Sequence, residues 1–482
     1  MRTRLNSLKY SLFLLIIFLL FTCNQKDSPQ YLTKINSGQF AEAKIQIQNI
    51  LQNDRALSDE ERQKLLWEIE RMRRIEKDFN QPESAVLEYV SKYIPDIDSS
   101  DLKRWEEQKY LEFMIIDGDK RYFRYAARNL FRLDPQCKDI WSEYYKDRTD
   151  TDRFNLDKHI EDVIKIAVQQ NKKFVKPVKI RVQYQISVDE NIVPRGELIR
   201  CWIPFPREIP GRQEEINILR SDPPSYQVAG NEDCVQRTIY LERPSAGPDQ
   251  TEFSVNYEFT SYGSYVPIVP DSVIPAIPSA ELVPYLVEEY PHIVFTPELK
   301  EISHKIVGNE KNPYLIARRL FEWIDLNIPW ASAREYSTIR NISQYAIQNM
   351  HGDCGIKALL FITLLRLNGI PARWQSGWEF QPPDHNMHDW GMVYFEPYGW
   401  MAMDVDYGLR QSENEQLKWF YLTGMDSYRL IYNDAFSQKL CPPKTHFRSE
   451  TIDSQRGELE WKGGNLYFDQ WSWDMKFEIV QN

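Results

Sequence analysis

Positions 352–371 read GDCGIKALLFITLLRLNGIP, a stretch that is apolar nearly all round after its first residues. It has no internal helix breaker and ends on Gly369 and Pro371, which predicts a buried helix. Cys354 then lies in the first turn of this helix, where backbone N–H groups have no partner within the helix. Those groups carry partial positive charge, so we expect a lowered pKa for the Cys354 thiol and donors for an oxyanion.

A second stretch, HDWGMVYFEPYGWMAMDVD, occupies positions 388–406. Its aromatic and β-branched residues predict two strands joined by a turn at positions 396–399. In an antiparallel hairpin, His388 and Asp404 lie at matching ends of neighbouring strands, where the carboxylate can orient the imidazole. With Cys354, these two residues make a thiol, an imidazole and a carboxylate available to one site.

Rival residues for the base and the carboxylate lie close by in the sequence. His351 and His385 could each serve as the base, but neither is followed by a tryptophan and a strand as His388 is. Asp406 could replace Asp404, because residues two apart on a strand share a face. The spacing from the preceding Gly-Trp pair favours Asp404.

The order of these motifs resembles the transglutaminase-like core, a papain-like superfamily of cysteine enzymes. The matching features are Gly-Asp-Cys opening an apolar helix, GIPAR after it, His-x-Trp on a strand, and Gly-Trp-x-x-x-Asp; they fall within positions 312–409. The resemblance implies Cys354 as the nucleophile, His388 as general base and acid, and Asp404 as the residue that fixes the imidazole.

An oxyanion needs a second donor besides the backbone N–H of Cys354. In this superfamily a side chain upstream of the cysteine helix often supplies or shapes that site, and Trp330 resembles it by placement. A purely structural role for Trp330 is the alternative. Tyr336 and Gln344 lie in the same connecting stretch and are further candidates.

Bulk composition excludes some classes of protein. The 482 residues are too many for one ordinary core, so two to four domains are expected. A net charge of -11 argues against a nucleic-acid binder, which would present a basic face. The sequence contains no Cys-x-x-Cys motif and no paired histidines, so neither a metal nor another cofactor is expected.

The N-terminus predicts secretion and lipid anchoring. Basic residues precede the apolar run 11–21, which is shorter than a typical membrane span. The Leu-Phe-Thr-Cys that follows resembles a bacterial lipobox, although Thr22 departs from the usual small residue. Residues 1–23 are therefore predicted to be a lipoprotein signal peptide, with Cys23 lipidated and the enzyme anchored in the bacterial cell envelope, at the outer membrane or cell surface. A transmembrane anchor is the alternative.

Changes of pattern divide the remaining chain and predict an α+β protein with an N-terminal helical region and a β-sandwich. The resemblance implies that a papain-like transglutaminase core follows them. Helical periodicity gives way to alternating strands, then to a run rich in proline, and later to aromatic strands. The predicted segments are a helical region at 24–174, a β-sandwich at 175–262, a proline-rich linker at 263–297, the catalytic core at 298–440 and a C-terminal β-rich segment at 441–482.

Some details of these segments stay open. The helical region either holds a partner or acts as a spacer, and the C-terminal aromatic residues either bind a ligand or pack against the core. Positions 420–422 are predicted to form the last core strand. Beyond Cys23 and Cys354, four cysteines allow two disulfides without fixing any pairing. They are Cys137, Cys201, Cys234 and Cys441.

The resemblance implies a thiol enzyme that acts on amide bonds through a thioester. An aqueous compartment favours water as the second reactant, which predicts a cysteine peptidase or amidase. The alternatives are a protein-glutamine transglutaminase, a glycopeptide amidase and a non-catalytic surface-binding lipoprotein. The expected partners are a peptide, protein or glycopeptide substrate and, through the lipid anchor, a membrane.

Overall fold

The computed structural model describes residues 29–146 and 154–480, which form two compact units. One unit runs to Glu76 and includes Met114–Arg121; the other comprises Lys77–Phe113 and the chain from Tyr122 onward. The predicted lipidation site Cys23 and its signal peptide lie outside the described residues. Within the described ranges, no helix is both long enough and apolar enough to span a bilayer.

Helices dominate the N-terminal part of the chain, with three short strands among them that the sequence pattern did not predict. Ser58 and Glu61 form a capping box: the Glu61 N–H donates to Ser58 Oγ at 3.2 Å, and the Ser58 N–H donates to Glu61 Oε2 at 2.9 Å. The elements are α1 (Gln30–Asn36), α2 (Phe40–Asn53), α3 (Asp59–Asp78), β1 (Phe79–Gln81), α4 (Glu83–Ser91), α5 (Ser99–Glu107), β2 (Phe113–Ile116), β3 (Asp119–Phe123), α6 (Ala126–Leu133), α7 (Pro135–Tyr145) and α8 (Leu156–Gln170).

Six strands then form the antiparallel sheets of a β-sandwich. Alternate residues of the long first strand, from Ile180 to Val188, are buried between the sheets, as the period of two requires. Strands β4, β9 and β6 belong to one sheet, and β5, β8 and β7 to the other. Their bounds are β4 (Phe174–Val188), β5 (Leu198–Pro204), β6 (Gln213–Asp222), β7 (Tyr226–Val228), β8 (Thr238–Pro244) and β9 (Thr251–Ser264).

The proline-rich stretch after β9 contains two short 3-10 turns and leads into a helical layer around a four-stranded sheet. Val273 and Ile293 of this stretch are buried in the same core as the helices. The sheet has the antiparallel order β12-β11-β10-β13. The elements are α9 (Pro297–Val307), α10 (Pro313–Asn327), α11 (Ile342–Asn349), α12 (Cys354–Leu367), β10 (Ala372–Gln381), β11 (Asp384–Phe395), β12 (Gly399–Met403), α13 (Glu415–Lys418), α14 (Phe420–Thr423) and β13 (Arg429–Asn433).

Helix α12 is the predicted buried helix, and it begins at Cys354 as expected. Its residues from Gly355 to Arg366 are all buried, so the helix lies inside the core with no solvent face. The prediction of a strand at 420–422 is wrong, because these residues form α14 and the last core strand is β13. Short apolar runs do not distinguish a strand from a buried helix by periodicity.

The C-terminal strands complete the sandwich and do not stand apart from it. Strand β14 (Glu458–Trp461) pairs with β5, β15 (Gly464–Leu466) pairs with β14, and β16 (Trp471–Val480) pairs with β4 along its whole length. Trp471 is buried in the sandwich core, and Trp473 stacks on Tyr184 with ring centroids 6.1 Å apart. At least these aromatic side chains pack against the sandwich.

One disulfide joins two distant parts of the chain. Cys234 and Cys441 are bonded, with Cα atoms 6.3 Å apart, across a sequence separation of 207 residues. Cys137, Cys201 and Cys354 are free. Of the two disulfides that the cysteine count allowed, the described residues therefore form one.

Candidate active site

The N-terminus of α12 holds Cys354 in a tightly packed position. Asp353 is the N-cap, and its Oδ1 accepts a hydrogen bond from the Ile356 N–H at 3.2 Å. A Cβ atom added to Gly355 would lie 2.1 Å from the hydroxyl oxygen of Tyr336. Glycine is therefore required beside Cys354, because any side chain would displace this hydroxyl.

His388 and Asp404 form the predicted pair. His388 Nε2 donates to Asp404 Oδ2 at 2.7 Å, and both residues are buried. The second oxygen of Asp404 accepts from the backbone N–H groups of Asp406 and Tyr407, at 3.2 and 3.3 Å. These bonds fix the carboxylate, which in turn fixes the ring and leaves Nδ1 as the nitrogen available for reaction.

A buried arginine supports this pair from β13, the edge strand on the other side of β10. Arg429 NH1 lies 3.1 Å from Asp404 Oδ2, and its Nε donates to Asp426 Oδ2 at 2.9 Å. The guanidinium also lies over the Tyr407 ring, 4.6 Å from its centroid. Both carboxylates and the arginine are 0% exposed, so each charge depends on the others for compensation.

A cavity of about 600 Å³ brings the Cys354 thiol and the His388 imidazole to one surface. Asp404 is not among the lining residues and lies behind the histidine. The lining includes Trp330, Tyr336, Asp353, Cys354, His388 and Asp389.

The rival residues have other partners. His385 Nε2 contacts the carbonyl oxygen of Met475 at 2.8 Å, and Asp406 pairs with Lys357 at 3.0 Å. His351 is buried, and this burial together with Arg334 lowers its pKa to about 4. None of the three bonds to His388 among the described residues, so the geometry favours His388 with Asp404.

The candidates for the second oxyanion donor are placed differently. Trp330 lines the cavity but is 40% exposed, with the Arg132 guanidinium 4.5 Å from its ring centroid. Gln344 is bound to Thr296, 2.6 Å away, and does not line the cavity. Tyr336 is close to the helix start, with its hydroxyl near Gly355. A role for Trp330 in oxyanion binding stays a prediction, and its observed position is a cavity wall.

The pKa of the Cys354 thiol is raised, whereas the sequence predicted that it would be lowered. The Cys354 thiol donates to Asp389 Oδ2 at 3.5 Å, and Tyr336 donates to Asp353 Oδ1 at 2.8 Å. Burial, followed by the negative charges of Asp389, Asp353 and Asp406, raises the pKa of Cys354 well above its ordinary value. The expected lowering is therefore wrong, because burial and then the nearby carboxylates outweigh the partial positive charge of the helix start.

The pKa of the His388 imidazole is raised, which favours its charged form. Burial alone would lower the pKa of His388, but the charges of Asp404 and Glu379 outweigh burial and raise it to about 9. The Asp404 carboxyl has a lowered pKa: burial opposes its ionisation, and the charges of His388 and Arg429 overcome that effect. The pair is an imidazolium and a carboxylate at neutral pH.

Sequence reasoning missed three residues of this site. Asp389 was present only as the variable position of His-x-Trp, although its place beside His388 was a usable signal. Arg429 belongs to no motif. Gln455 donates from Nε2 to Asp389 Oδ1 at 2.6 Å and to the carbonyl oxygen of His388 at 3.0 Å. No local pattern in the sequence predicts this contact.

The described residues were also compared with the side-chain arrangements that bind metal ions. Across residues 29–146 and 154–480, no group of three or more His, Cys, Asp or Glu side chains is arranged to hold a metal ion.

Comparison with known proteins supports the core assignment. A sequence model described as the Transglutaminase-like superfamily matches residues 300–405. A search of curated proteins finds no match to the chain.

Similar solved structures include a candidate cysteine protease from Cytophaga hutchinsonii, with 15% identity over 64% of this chain and 93% of that one, and a TM-score of 0.44. The periplasmic domain of TgpA from Pseudomonas aeruginosa has 13% identity over 50% and 90%, with a TM-score of 0.24. A candidate protease from Parabacteroides distasonis has 10% identity over 56% and 49%, with a TM-score of 0.22. At TM-scores below 0.5, these likenesses establish no shared activity.

Proposed function

Since residues 300–405 of this chain form a transglutaminase-like core, we propose that the protein is a thiol enzyme that hydrolyses amide bonds, a cysteine peptidase or amidase. Cys354 is the nucleophile, His388 transfers protons, and Asp404 orients and charges His388. The supporting observation is that one cavity is lined by both Cys354, at the start of a buried helix, and His388, in a 2.7 Å bond to Asp404.

The geometry supports an acyl-transfer reaction in two stages. The sulfur adds to the amide carbonyl carbon, and the resulting oxyanion is stabilised by backbone N–H groups at the start of α12. His388 then protonates the leaving amine from its imidazolium form, and a thioester remains on Cys354. In the second stage, His388 removes a proton from water, which attacks the thioester and releases a carboxylic acid.

The competing outcome is transamidation, in which an amine resolves the thioester. Peptide and glycopeptide libraries should be incubated with the protein, with and without an added primary amine, and the products weighed by mass spectrometry. We expect products that have gained the mass of water, with the amine making little difference. Dominant incorporation of the amine would instead identify a transglutaminase, and release of an intact glycan-bearing amine would identify a glycopeptide amidase.

The pH dependence of hydrolysis follows from the raised pKa of His388. The imidazolium that protonates the leaving group is present below pH 9 and is lost as the pH rises through about 9. A plot of kcat/KM against pH should therefore have a descending limb near pH 9. Asp404→Asn removes the main charge that holds the proton, so the limb should move to lower pH.

Asp406→Asn is the matched control for this shift. Asp406 lies two residues from Asp404 but pairs with Lys357 at 3.0 Å, and the control should keep the limb of kcat/KM near pH 9. A pH profile of kcat/KM for all three proteins decides the matter. If Asp406→Asn moved the limb and Asp404→Asn did not, the assigned carboxylate would be incorrect.

A further inference from the structure

The thiol of Cys354 has a hydrogen-bond partner other than the histidine. It donates to Asp389 Oδ2 across 3.5 Å, within the range of a hydrogen bond to sulfur. His388 meanwhile uses Nε2 to bind Asp404. Among the residues that the structure describes, no hydrogen bond joins the Cys354 sulfur to the His388 ring. The group positioned to receive the thiol proton is therefore the Asp389 carboxylate.

Asp389 is held rigidly in this orientation. It is 2% exposed, and its Oδ1 accepts from Gln455 Nε2 at 2.6 Å. Its Oδ2 lies 3.2 Å from the Tyr336 hydroxyl. One oxygen is thus anchored from the C-terminal segment, while the other is shared between the phenol and the thiol. A carboxylate fixed in this way needs no rearrangement before it accepts a proton.

Burial raises the pKa of Asp389, and a hydrogen bond from the neighbouring Asp453 opposes that rise. Asp453 is buried beside it, and Asp453 Oδ2 finds no N–H or O–H donor in the described part of the chain. Burial and the charges of Asp389 and Glu450 raise the pKa of Asp453 well above its usual value, so Asp453 keeps its proton. A protonated Asp453 donates towards Asp389 and favours the charged form of that carboxylate.

The remaining titratable groups facing Asp389 come from three elements. Tyr336, before α11, has a raised pKa because of burial and stays protonated. Asp353, at the start of α12, has its pKa raised by burial and by Asp389 to about 7. His388, the preceding residue on β11, carries a positive charge that opposes the rise in the pKa of Asp389 caused by burial. Asp389 therefore has a neighbouring cation to stabilise its charge, while the Tyr336 hydroxyl donates its proton to Asp353.

We propose that Asp389 is a further catalytic residue, the base that takes the thiol proton when Cys354 attacks, while His388 acts as the acid for the leaving amine. This assignment rests on the proposed amide hydrolysis. It gives the two proton transfers of the first stage to two different residues.

Every proton and electron pair is accounted for over one turnover. The thiol proton passes to Asp389 Oδ2 as the sulfur electron pair forms the C–S bond and the carbonyl π pair moves to oxygen. The C=O bond then re-forms, the C–N bond breaks, and the departing nitrogen takes a proton from His388. Water adds to the thioester and gives its proton to His388. The C–S bond breaks, and the sulfur recovers its proton from Asp389.

Asp389→Asn tests the assignment through two readouts that should move in opposite directions. We expect kcat/KM to fall by roughly 10²- to 10⁴-fold, the usual contribution of a general base. We also expect the Cys354 thiol to ionise at lower pH, because a neighbouring negative charge has been removed. Thiol ionisation is read from thiolate ultraviolet absorbance, with the spectrum of Cys354→Ala subtracted. A merely structural defect would lower turnover without producing more thiolate.

Glu379→Gln is the control, since Glu379 lines the same cavity but accepts its hydrogen bond from Tyr407 at 2.6 Å. In this variant the Cys354 thiol should ionise at the same pH as in the wild-type protein. The pH at which kcat/KM falls should become lower, because Glu379 contributes to the raised pKa of His388. Wild-type turnover in Asp389→Asn would overturn the assignment and leave the proposed hydrolysis intact. So would a thiolate in the wild-type protein at neutral pH, a measurement that needs no variant to fold. A wild-type protein that hydrolyses no amide would instead refute the proposed function itself.

Discussion

Cys354→Ala should lower kcat/KM for the identified amide substrate on the order of 10⁶-fold, the scale seen when a covalent nucleophile is removed. The reason is that, of the free cysteines in residues 29–146 and 154–480, only Cys354 lines the cavity. Alanine removes the sulfur alone and leaves the Asp353 cap of α12 in place. The measurement is steady-state hydrolysis followed by product mass.

Cys137→Ala serves as the comparison, because Cys137 is also a free thiol but is buried in α7 and does not line the cavity. It should hydrolyse the substrate at the wild-type rate. If Cys354→Ala kept a substantial share of the activity, or if Cys137→Ala lost it, the nucleophile would have been assigned to the wrong residue.

Arg429→Met should lower the free energy of unfolding by about 3–5 kcal/mol, the usual cost of removing one partner from a buried ion cluster. Methionine fills much of the space but carries no charge, so Asp404 and Asp426 are left buried without their shared cation. Hydrolysis should fall as well, because Asp404 loses one of the groups that fix its carboxylate and then holds His388 less firmly in a single orientation. Denaturant unfolding and steady-state rates measure the two effects.

Lys305→Met is a suitable control for the stability measurement. Lys305 pairs with Glu301 at 2.6 Å, but both side chains are about two-thirds exposed, at 70% and 68%. Exposed pairs of this kind contribute about 0–1 kcal/mol. A loss for Arg429→Met no larger than that of the control would show that the buried cluster does not stabilise the fold.

Local patterns in the sequence were enough to predict the centre of this fold. The apolar run with Gly369 and Pro371 behind it predicted α12, which begins at Cys354 as expected. The hairpin was predicted because alternating aromatic and β-branched residues flank a Glu-Pro-Tyr-Gly turn, and β11 and β12 pair as expected. The α+β class followed from the change of period along the chain.

Contacts between distant positions were beyond the reach of the same reasoning. Arg429 and Gln455 reach the site from segments that show no pattern of their own. The C-terminal strands join the sandwich through pairing with β4 and β5, which lie more than 200 positions earlier. Non-local pairing leaves no periodic signal that would identify its partner strand.

The thiol shows how a local rule can give the wrong sign. The start of α12 was expected to lower the pKa of Cys354, and the helix start is where it was predicted. Burial of the thiol and then the charge of Asp389, which approaches from the sheet to 3.5 Å from the sulfur, outweigh the partial charges of the helix. Both effects depend on how β11 packs against α12, which no local pattern in the sequence shows.

A thioester on Cys354 is detected most directly as an increase in the mass of the protein during turnover. The wild-type protein should be mixed with substrate, quenched in acid within the first turnovers, digested and analysed by mass spectrometry. The account predicts that the peptide containing Cys354 carries the acyl half of the substrate, and that the adduct is absent from Cys354→Ala. Hydrolysis that proceeds with no adduct on Cys354, or with the adduct on another residue, would contradict it.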